Sequence, residues 1–280
     1  MSDPRRPARP DLAAAHLKGQ VEAARFVTGT PMRVRVPVAS LRREPRPDAP
    51  LDTEALFGEA VTVYETDSEG WSWVQLHDDS YVGYVPTEAL GPDKAAPTHR
   101  IDALRTFVYP GPSIKEPPRA ALSLGSTIAV HGEEGKFFKI ADGFIFAMHT
   151  KPLDETEKDY AETAKRFEGI PYLWGGKSSL GIDCSGLVQT ALKAAGIACP
   201  RDTSMQVNEL GSPIEWDDRL LGLQRGDFVF WKGHVGIMLD PENLVHANGH
   251  FMEVVSEPLR MARDRTLAKG SGPIVMIRRL

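Results

Sequence analysis

The sequence predicts an α+β fold in which a region of helices packed on an antiparallel sheet follows two small β-barrels. Three observations carry this. Short alternating strands separated by turn clusters fill the first half, and that pattern recurs once. After about residue 154 two helical stretches precede a run of strands. At 280 residues the chain has room for two or three domains, and its apolar and charged fractions of 41% and 25% are those of an ordinary globular protein. The expected divisions are a tail and short helix over 1–30, a first barrel over 31–92, a second over 98–153 and the α+β region over 154–280.

The opening Pro/Arg stretch, residues 1–10, reads as a mobile tail. Asp11 is placed to cap a short helix running to about Phe26, with Leu12, Ala15, Gly19 and Ala23 or Ala24 as a weak apolar stripe. Strands follow at Met32–Val36, Ala60–Tyr64, Trp71–Leu76 and Tyr81–Pro86, with turns at 67–70 and 77–80. Leu56–Val63 aligns with Ser123–Val130, and Trp73–Leu76 with Phe138–Ala141, which reads as a degenerate tandem duplication. The second copy has a shorter turn and lacks the closing Gly83-Tyr84-Val85-Pro86 strand, carrying Phe144–Met148 instead. Residues 91–97 read as the linker between copies. Beyond Asp154, Thr156–Phe167 and Cys184–Ala195 read as helices, the second ended by Gly196. Strands are expected at Asp227–Trp231, His234–Leu239, Leu244–Ala247, Phe251–Val255 and Ile274–Ile277.

The formal net charge of −5 argues against a nucleic-acid partner, although a local basic groove is compatible with that total. The two cysteines, Cys184 and Cys199, are too few for a disulfide framework; the preferred reading is one reactive and one structural thiol. No apolar run is long enough for a secretory leader or a membrane span, so a cytoplasmic location is expected, with non-classical export or phage-type release left open.

The chemistry concentrates in three places. Cys184 sits where the Gly-rich segment Pro171–Gly176 and Gly181 gives way to a helical run. A helix N-terminus stabilises a thiolate through its unpaired amides, and the Cys184 amide is a natural oxyanion donor. His234 lies between two apolar runs that would hold its ring still, and is the candidate base. His246 is the candidate orienter, with His250 as its rival. A lone cysteine or histidine is more often a buried structural residue, and Asp183 is as readily a helix cap as a substrate contact. Zinc held by Cys184, His234 and His246 is the weaker alternative, because only His246 and His250 have a ligand-like spacing and they fall around a turn.

Six motifs then carry a resemblance: Tyr172-Leu173-Trp174-Gly175-Gly176, Asp183-Cys184-Ser185-Gly186, Pro200-Arg201-Asp202, Arg225-Gly226-Asp227, Gly233-His234-Val235-Gly236 and Val245-His246-Ala247. In order and spacing they resemble the NlpC-type cysteine peptidases, a papain-like superfamily, from about residue 155 to the end. Each barrel resembles a bacterial SH3-type domain, and the whole chain resembles the γ-D-glutamyl-L-diamino-acid endopeptidases. The resemblance implies a triad of Cys184, His234 and His246, with Tyr172 near the oxyanion. It also implies Asp183, Ser185 and Trp174 at the substrate, Arg201-Asp202 in a structural role, and no cofactor. The implied partners are L-Ala-γ-D-Glu-diamino-acid stem peptides, small and imported, in cell-wall recycling. The first barrel is implied to help select a free L-Ala amine, with Tyr81 or Tyr84 as its contacts and Glu59, Glu65 or Asp67 as possible pairs for the ammonium. Each barrel aromatic is more readily a packing residue. The competing functions are a non-catalytic wall-binding protein, and an amidase or lipid acyltransferase on the same fold.

Overall fold

The computed structural model describes residues 3–93, 95–270 and 272–280. Met1 and Ser2 of the expected tail and Lys94 of the expected linker lie outside the described residues, as does Ser271. The chain divides into two compact units, Met1–Glu155 and Thr156–Leu280. Among the described residues, no helix is long and apolar enough to cross a membrane.

The N-terminal segment differs from expectation. In place of a helix over 11–26, strands Ala8–Arg9, Leu12–Ala14 and Arg25–Val27 form a small sheet around a 3-10 turn at Ala15–Leu17. One leucine, a few alanines and a glycine offer too little apolar stripe to hold a short helix, whereas Leu12, Ala13 and Ala14 are buried in succession as paired strand. Nor does the segment from Pro4 hang free. The Val82 amide donates to the Pro4 carbonyl (2.9 Å), Gln75 Nε2 donates to the Arg5 carbonyl (2.9 Å), and the Arg9 guanidinium lies 4.6 Å over the Trp73 ring.

The first barrel is a seven-stranded sheet in the order Leu90–Pro92, Thr30–Val34, Ala60–Thr66, Trp71–Leu76, Val82–Pro86, Val38–Arg42, Leu51–Leu56. Alternation puts Ala39, Leu41, Val61, Val63, Val74 and Val85 into one core. The Val38–Arg42 and Leu51–Leu56 strands were not expected; they lie in the stretch that reads as a loop because Pro45, Pro47 and Pro50 interrupt it.

Residues 99–152 form two ladders. Thr127–Ile128, His99–Ile101 and Thr150–Pro152 make one; Ala120–Ser123, Arg105–Tyr109, Gly143–Phe146, Phe137–Ile140 and Gly132–Glu134 make the other. Laid end to end, these repeat the strand order of the first barrel, with the counterpart of Ala60–Thr66 broken in two. Both regions also place a 3-10 turn before the last strand, at Thr87–Ala89 and Ala147–His149. Gly58 and Gly125, matched in the sequence alignment, both take left-handed backbone (φ +80° and +91°), which a residue with a Cβ adopts only under strain.

The second unit packs four helices against a six-stranded sheet. The helices are α1 (Tyr160–Lys165), α2 (Cys184–Ala194), α3 (Thr203–Glu209) and α4 (Leu259–Ala268). The sheet order is Ser212–Pro213, Met276–Arg279, Phe228–Trp231, His234–Met238, Asn243–Asn248, Glu253–Pro258. Helix α1 is shorter than the expected 156–167. Asp159 caps it by accepting from the Glu162 amide (3.1 Å), and that sets its start. Helix α2 matches expectation to within a residue and packs on the His234–Met238 and Asn243–Asn248 strands. Its Leu187, Val188, Ala191 and Leu192 are fully buried, and each of the larger three contributes about 1.5–3 kcal/mol by leaving water. α3 and α4 were not expected; α4 follows Pro258 and buries only Leu259 and Ala262. The Arg225-Gly226-Asp227 motif is a turn with Gly226 at φ +91°. Its Asp227 carboxylate is fully buried and takes two bonds from Arg279, at 2.6 and 2.7 Å.

Candidate active site

Cys184 is the first residue of α2, and Asp183 is its N-cap: Asp183 Oδ1 accepts from the Gly186 amide at 2.7 Å. The first amides of a helix have no intrahelical acceptor, so those of Cys184 and Ser185 remain available at this end. The loop before the helix is pulled tight. The Gly175 amide donates to Asp183 Oδ2 (2.8 Å) and the Asp183 amide to the Gly176 carbonyl (3.1 Å). A Cβ on Gly186 would stand 2.3 Å from the Gly176 oxygen, so this approach requires glycine.

Arg201, 1% exposed, locks the arrangement. It donates to Asp183 Oδ1 (2.9 Å) and Oδ2 (2.8 Å), to Ser185 Oγ (2.8 Å) and to the Gly176 carbonyl (3.3 Å). Such a bidentate pair is short and directional. Both Asp183 and Ser185 are therefore engaged from within the chain, and the capping alternative for Asp183 is the one this geometry supports.

The Cys184 thiol lies 3.7 Å from Thr203 Oγ1 and beside the backbone amide of Val235, the residue after His234. Burial, and then the negative charge of Asp183, push the thiol up to about 11. Burial also lowers the His234 imidazole, to about 3, with His246 and Arg265 adding to the effect. Both directions favour a neutral thiol and a neutral imidazole. Burial thus acts against the thiolate that the helix end favours.

His234 and His246 are brought together: His234 Nε2 and His246 Nδ1 are 2.8 Å apart. His246, 2% exposed, continues the chain from its other nitrogen to Glu257 Oε1, also at 2.8 Å. Glu257 in turn is gripped by Arg265 through both carboxylate oxygens. Burial pushes the Glu257 carboxyl up, but the hydrogen bonds from Arg265 and His246 outweigh it and bring it down to about 2. An ionised carboxylate only accepts, so His246 Nε2 carries a proton and Nδ1 accepts. His234 then donates from Nε2, which leaves its Nδ1 as the basic atom. The Asn248 amide nitrogen also sits 3.0 Å from His246 Nε2, but a ring nitrogen that donates to Glu257 cannot accept from it. His250, the rival orienter, points elsewhere: its Nδ1 lies 2.8 Å from Lys269 Nζ.

The NlpC/P60 family model matches residues 169–268, and a model described as the bacterial dipeptidyl-peptidase Sh3 domain matches residues 41–90. A probable endopeptidase of Haemophilus influenzae is 34% identical over 137 residues, covering 40% of this chain and 82% of that protein. The chain belongs to the NlpC/P60 family. A γ-D-glutamyl-L-lysine dipeptidyl-peptidase of Bacillus subtilis is 28% identical over 237 residues, covering 75% of this chain and 77% of that protein. The crystal structure of an NlpC/P60 protein from Bacillus cereus matches with a TM-score of 0.74 at 22% identity, over 89% of this chain and 99% of that one. The α+β unit is therefore the papain-like fold of this family, and the chain is a cysteine peptidase.

In this NlpC/P60 peptidase the remaining candidate residues divide. Tyr172 is half-buried, and burial, reinforced by Cys184 and Asp183, raises its phenol far above neutrality, so its hydroxyl stays a donor. Trp174 is 70% exposed on the Gly-rich loop. Tyr81 is a core residue of the first barrel, as the packing reading had it, and precedes the last long strand instead of lying in it. Tyr84 is on that strand, and its hydroxyl accepts from Arg9 (2.8 Å). Glu65 is paired with Arg9 and Arg25, and Asp67 holds a turn through the Glu69 and Trp71 amides. Glu59 is buried.

Cys199 is a buried thiol, not in a disulfide, that accepts from Gln206 Nε2 (3.4 Å). Among the described residues, no group of three or more His, Cys, Asp or Glu is placed to hold a metal ion. Sequence reasoning missed Glu257 and Arg265. The spacing of Glu257 two residues after Val255, which puts both on one face of the strand beside His246, is the one signal that points to Glu257. In the ladder His246 faces Val255 and Leu244 faces Glu257, so Glu257 is the diagonal neighbour of His246.

Proposed function

We propose that this peptidase hydrolyses the γ-D-Glu–diamino-acid bond of peptidoglycan stem peptides, with Cys184 as nucleophile, His234 as base and His246 as its orienter. The hydrogen-bonded series His234–His246–Glu257 at the helix that begins with Cys184 is the observation that carries the reading. The names of relatives, γ-D-glutamyl-L-lysine dipeptidyl-peptidase among them, supply the substrate class.

The neutral pair implies proton transfer during attack. His234 Nδ1 takes the thiol proton as Sγ adds to the γ-carbonyl carbon of D-glutamate. The Cys184 amide and the Tyr172 hydroxyl receive the developing oxyanion. Collapse breaks the C–N bond, and His234 returns the proton to the leaving amine. Water, activated by the same imidazole, then hydrolyses the thioester. In this reading Asp183, Ser185 and Arg201 shape the helix start and Trp174 offers a wall to the substrate.

The proposal extends to substrate length, residues 98–153 and location. A stem peptide with a free L-Ala amine is preferred over a glycan-linked stem by roughly a hundredfold or more in kcat/KM, since a recognised amine that is blocked leaves its partners unpaired. Residues 98–153 are a second SH3-type unit, on the repeated strand order. A preference for small free peptides suits recycling in the cytoplasm.

Mass spectrometry of digests of L-Ala-γ-D-Glu-diaminopimelate, free and N-acetylated, tests the reading. Release of L-Ala-γ-D-Glu from the free peptide alone supports it in full. Cleavage at another bond, or none, overturns the substrate assignment. Equal cleavage of both peptides removes the free-amine preference.

A further inference from the structure

Beside the two histidines lies a cavity of about 340 Å³ lined by Lys232, His234, His246, His250, Arg265 and Lys269 among others. None of the described residues that line it is acidic, in a chain whose net charge is −5. We propose that this cavity is a carboxylate-binding subsite for the residue on the leaving-group side of the scissile bond. The inference rests on the reaction proposed above and names the substrate feature that the same site selects.

Two features of the lining point to an anion. Lys232 is exposed at the turn joining the Phe228–Trp231 and His234–Met238 strands, two residues before the base, and makes no hydrogen bond or ion pair with the described residues. The Lys269 ammonium sits 2.8 Å from His250 Nδ1. A ring nitrogen accepts an ammonium hydrogen only while it is unprotonated, and burial together with the positive charges of Lys269 and Arg265 lowers the His250 imidazole. Lys269 therefore keeps two further donors. Arg265 is already matched by Glu257, so the unmatched positive charge of the cavity belongs to Lys232 and Lys269.

Position assigns the side. The leaving amine receives its proton from His234, so the residue that carries that amine must lie against this imidazole. A cavity with His234 in its wall is where that residue's other groups can reach. Two carboxylates are available there: the side-chain carboxylate of a diaminopimelate and the main-chain carboxylate of a tripeptide's last residue. The cavity chemistry is common to both, and the experiment separates them.

The test measures kcat/KM for L-Ala-γ-D-Glu-meso-diaminopimelate and L-Ala-γ-D-Glu-L-Lys, each as the free acid and as the C-terminal amide. A preference of up to about fivefold for diaminopimelate, as free acid and amide alike, identifies the side-chain carboxylate, that being the scale of an exposed charge pair. A similar loss on amidating either peptide identifies the main-chain carboxylate. In the Lys232→Ala/Lys269→Ala double variant, whose substitutions are on the surface, the relevant ratio should fall towards one. Added salt should compress it in the wild type. Equal rates for all four peptides, or a ratio that the double variant leaves intact, overturns the subsite. If none of the four is cleaved, the reaction proposed above has failed, and the cavity is judged by binding alone. Titration of meso-diaminopimelic acid against L-lysinamide, followed by the ring nitrogen signals of His250, should then show saturable shifts for the diacid only. Their absence overturns the inference.

Discussion

His246 donates from Nε2 to Glu257 Oε1 at 2.8 Å, across adjacent strands, while its Nδ1 faces His234. The carboxylate thereby decides which nitrogen of each ring carries the proton. Glu257→Gln removes the charge that imposes this tautomer and leaves Arg265 without its partner. kcat should fall about tenfold to a hundredfold with KM little changed, because the step affected is proton transfer. Steady-state kinetics on the stem tripeptide checks this. A wild-type kcat would place Glu257 outside the proton path.

Cys184→Ala should abolish turnover and leave the fold intact, whereas Cys199→Ala should keep activity. The resting thiol is neutral, so alkylation of Cys184 by iodoacetamide should rise about tenfold per pH unit between pH 6 and 9, following the thiolate fraction. A plateau across that range would show a preformed thiolate and argue against the neutral pair.

Acid should destabilise the second unit in two overlapping windows. His234 has its folded value lowered from the ordinary 6.5 to about 3, and Glu257 from 4.5 to about 2. Between each pair of values the unfolded chain binds a proton that the folded chain refuses, so stability rises with pH. The contribution of His234 is complete above 6.5 and lost towards 3; that of Glu257 is complete above 4.5 and lost towards 2. Tm measured from pH 7 down to 3 should fall throughout, and Glu257→Gln should flatten the lower part. A Tm independent of pH over that range would contradict both shifts.

Asp183→Asn would leave Arg201 buried with no charge partner and one of its two acceptor oxygens gone. Breaking a buried pair costs about 3–5 kcal/mol, equivalent to a Tm fall of roughly 10–20 °C for a unit of this size. Calorimetry measures it. An unchanged Tm with a raised KM would return Asp183 to the substrate-contact role that the family resemblance implies.

Much of the site was readable because its signals are local. A capping Asp before Cys184, the apolar stripe Leu187, Val188, Ala191 and Leu192, and Gly196 after it define a helix within one short local stretch. His234 opens a strand with an apolar run on either side of it. The N-terminal segment misled because a weak helical stripe cannot reveal that its residues pair in strands. Helix α4 escaped because it buries little, so its periodicity carries little signal.

By itself the sequence determined the chemistry on offer: one cysteine at a helix start, two histidines on strands, and a duplicated strand pattern ahead of them. These follow from periodicity and spacing, which act over a few residues. Tertiary structure alone decided which groups meet. Glu257 reaches His246 through strand register, and Arg201 reaches Asp183 across 18 positions of chain. Lys232 and Lys269 line one cavity because the fold returns α4 to the sheet. Burial set the protonation of the pair, raising the Cys184 thiol and lowering the His234 imidazole. Desolvation depends on everything packed around a group, and no local pattern encodes that.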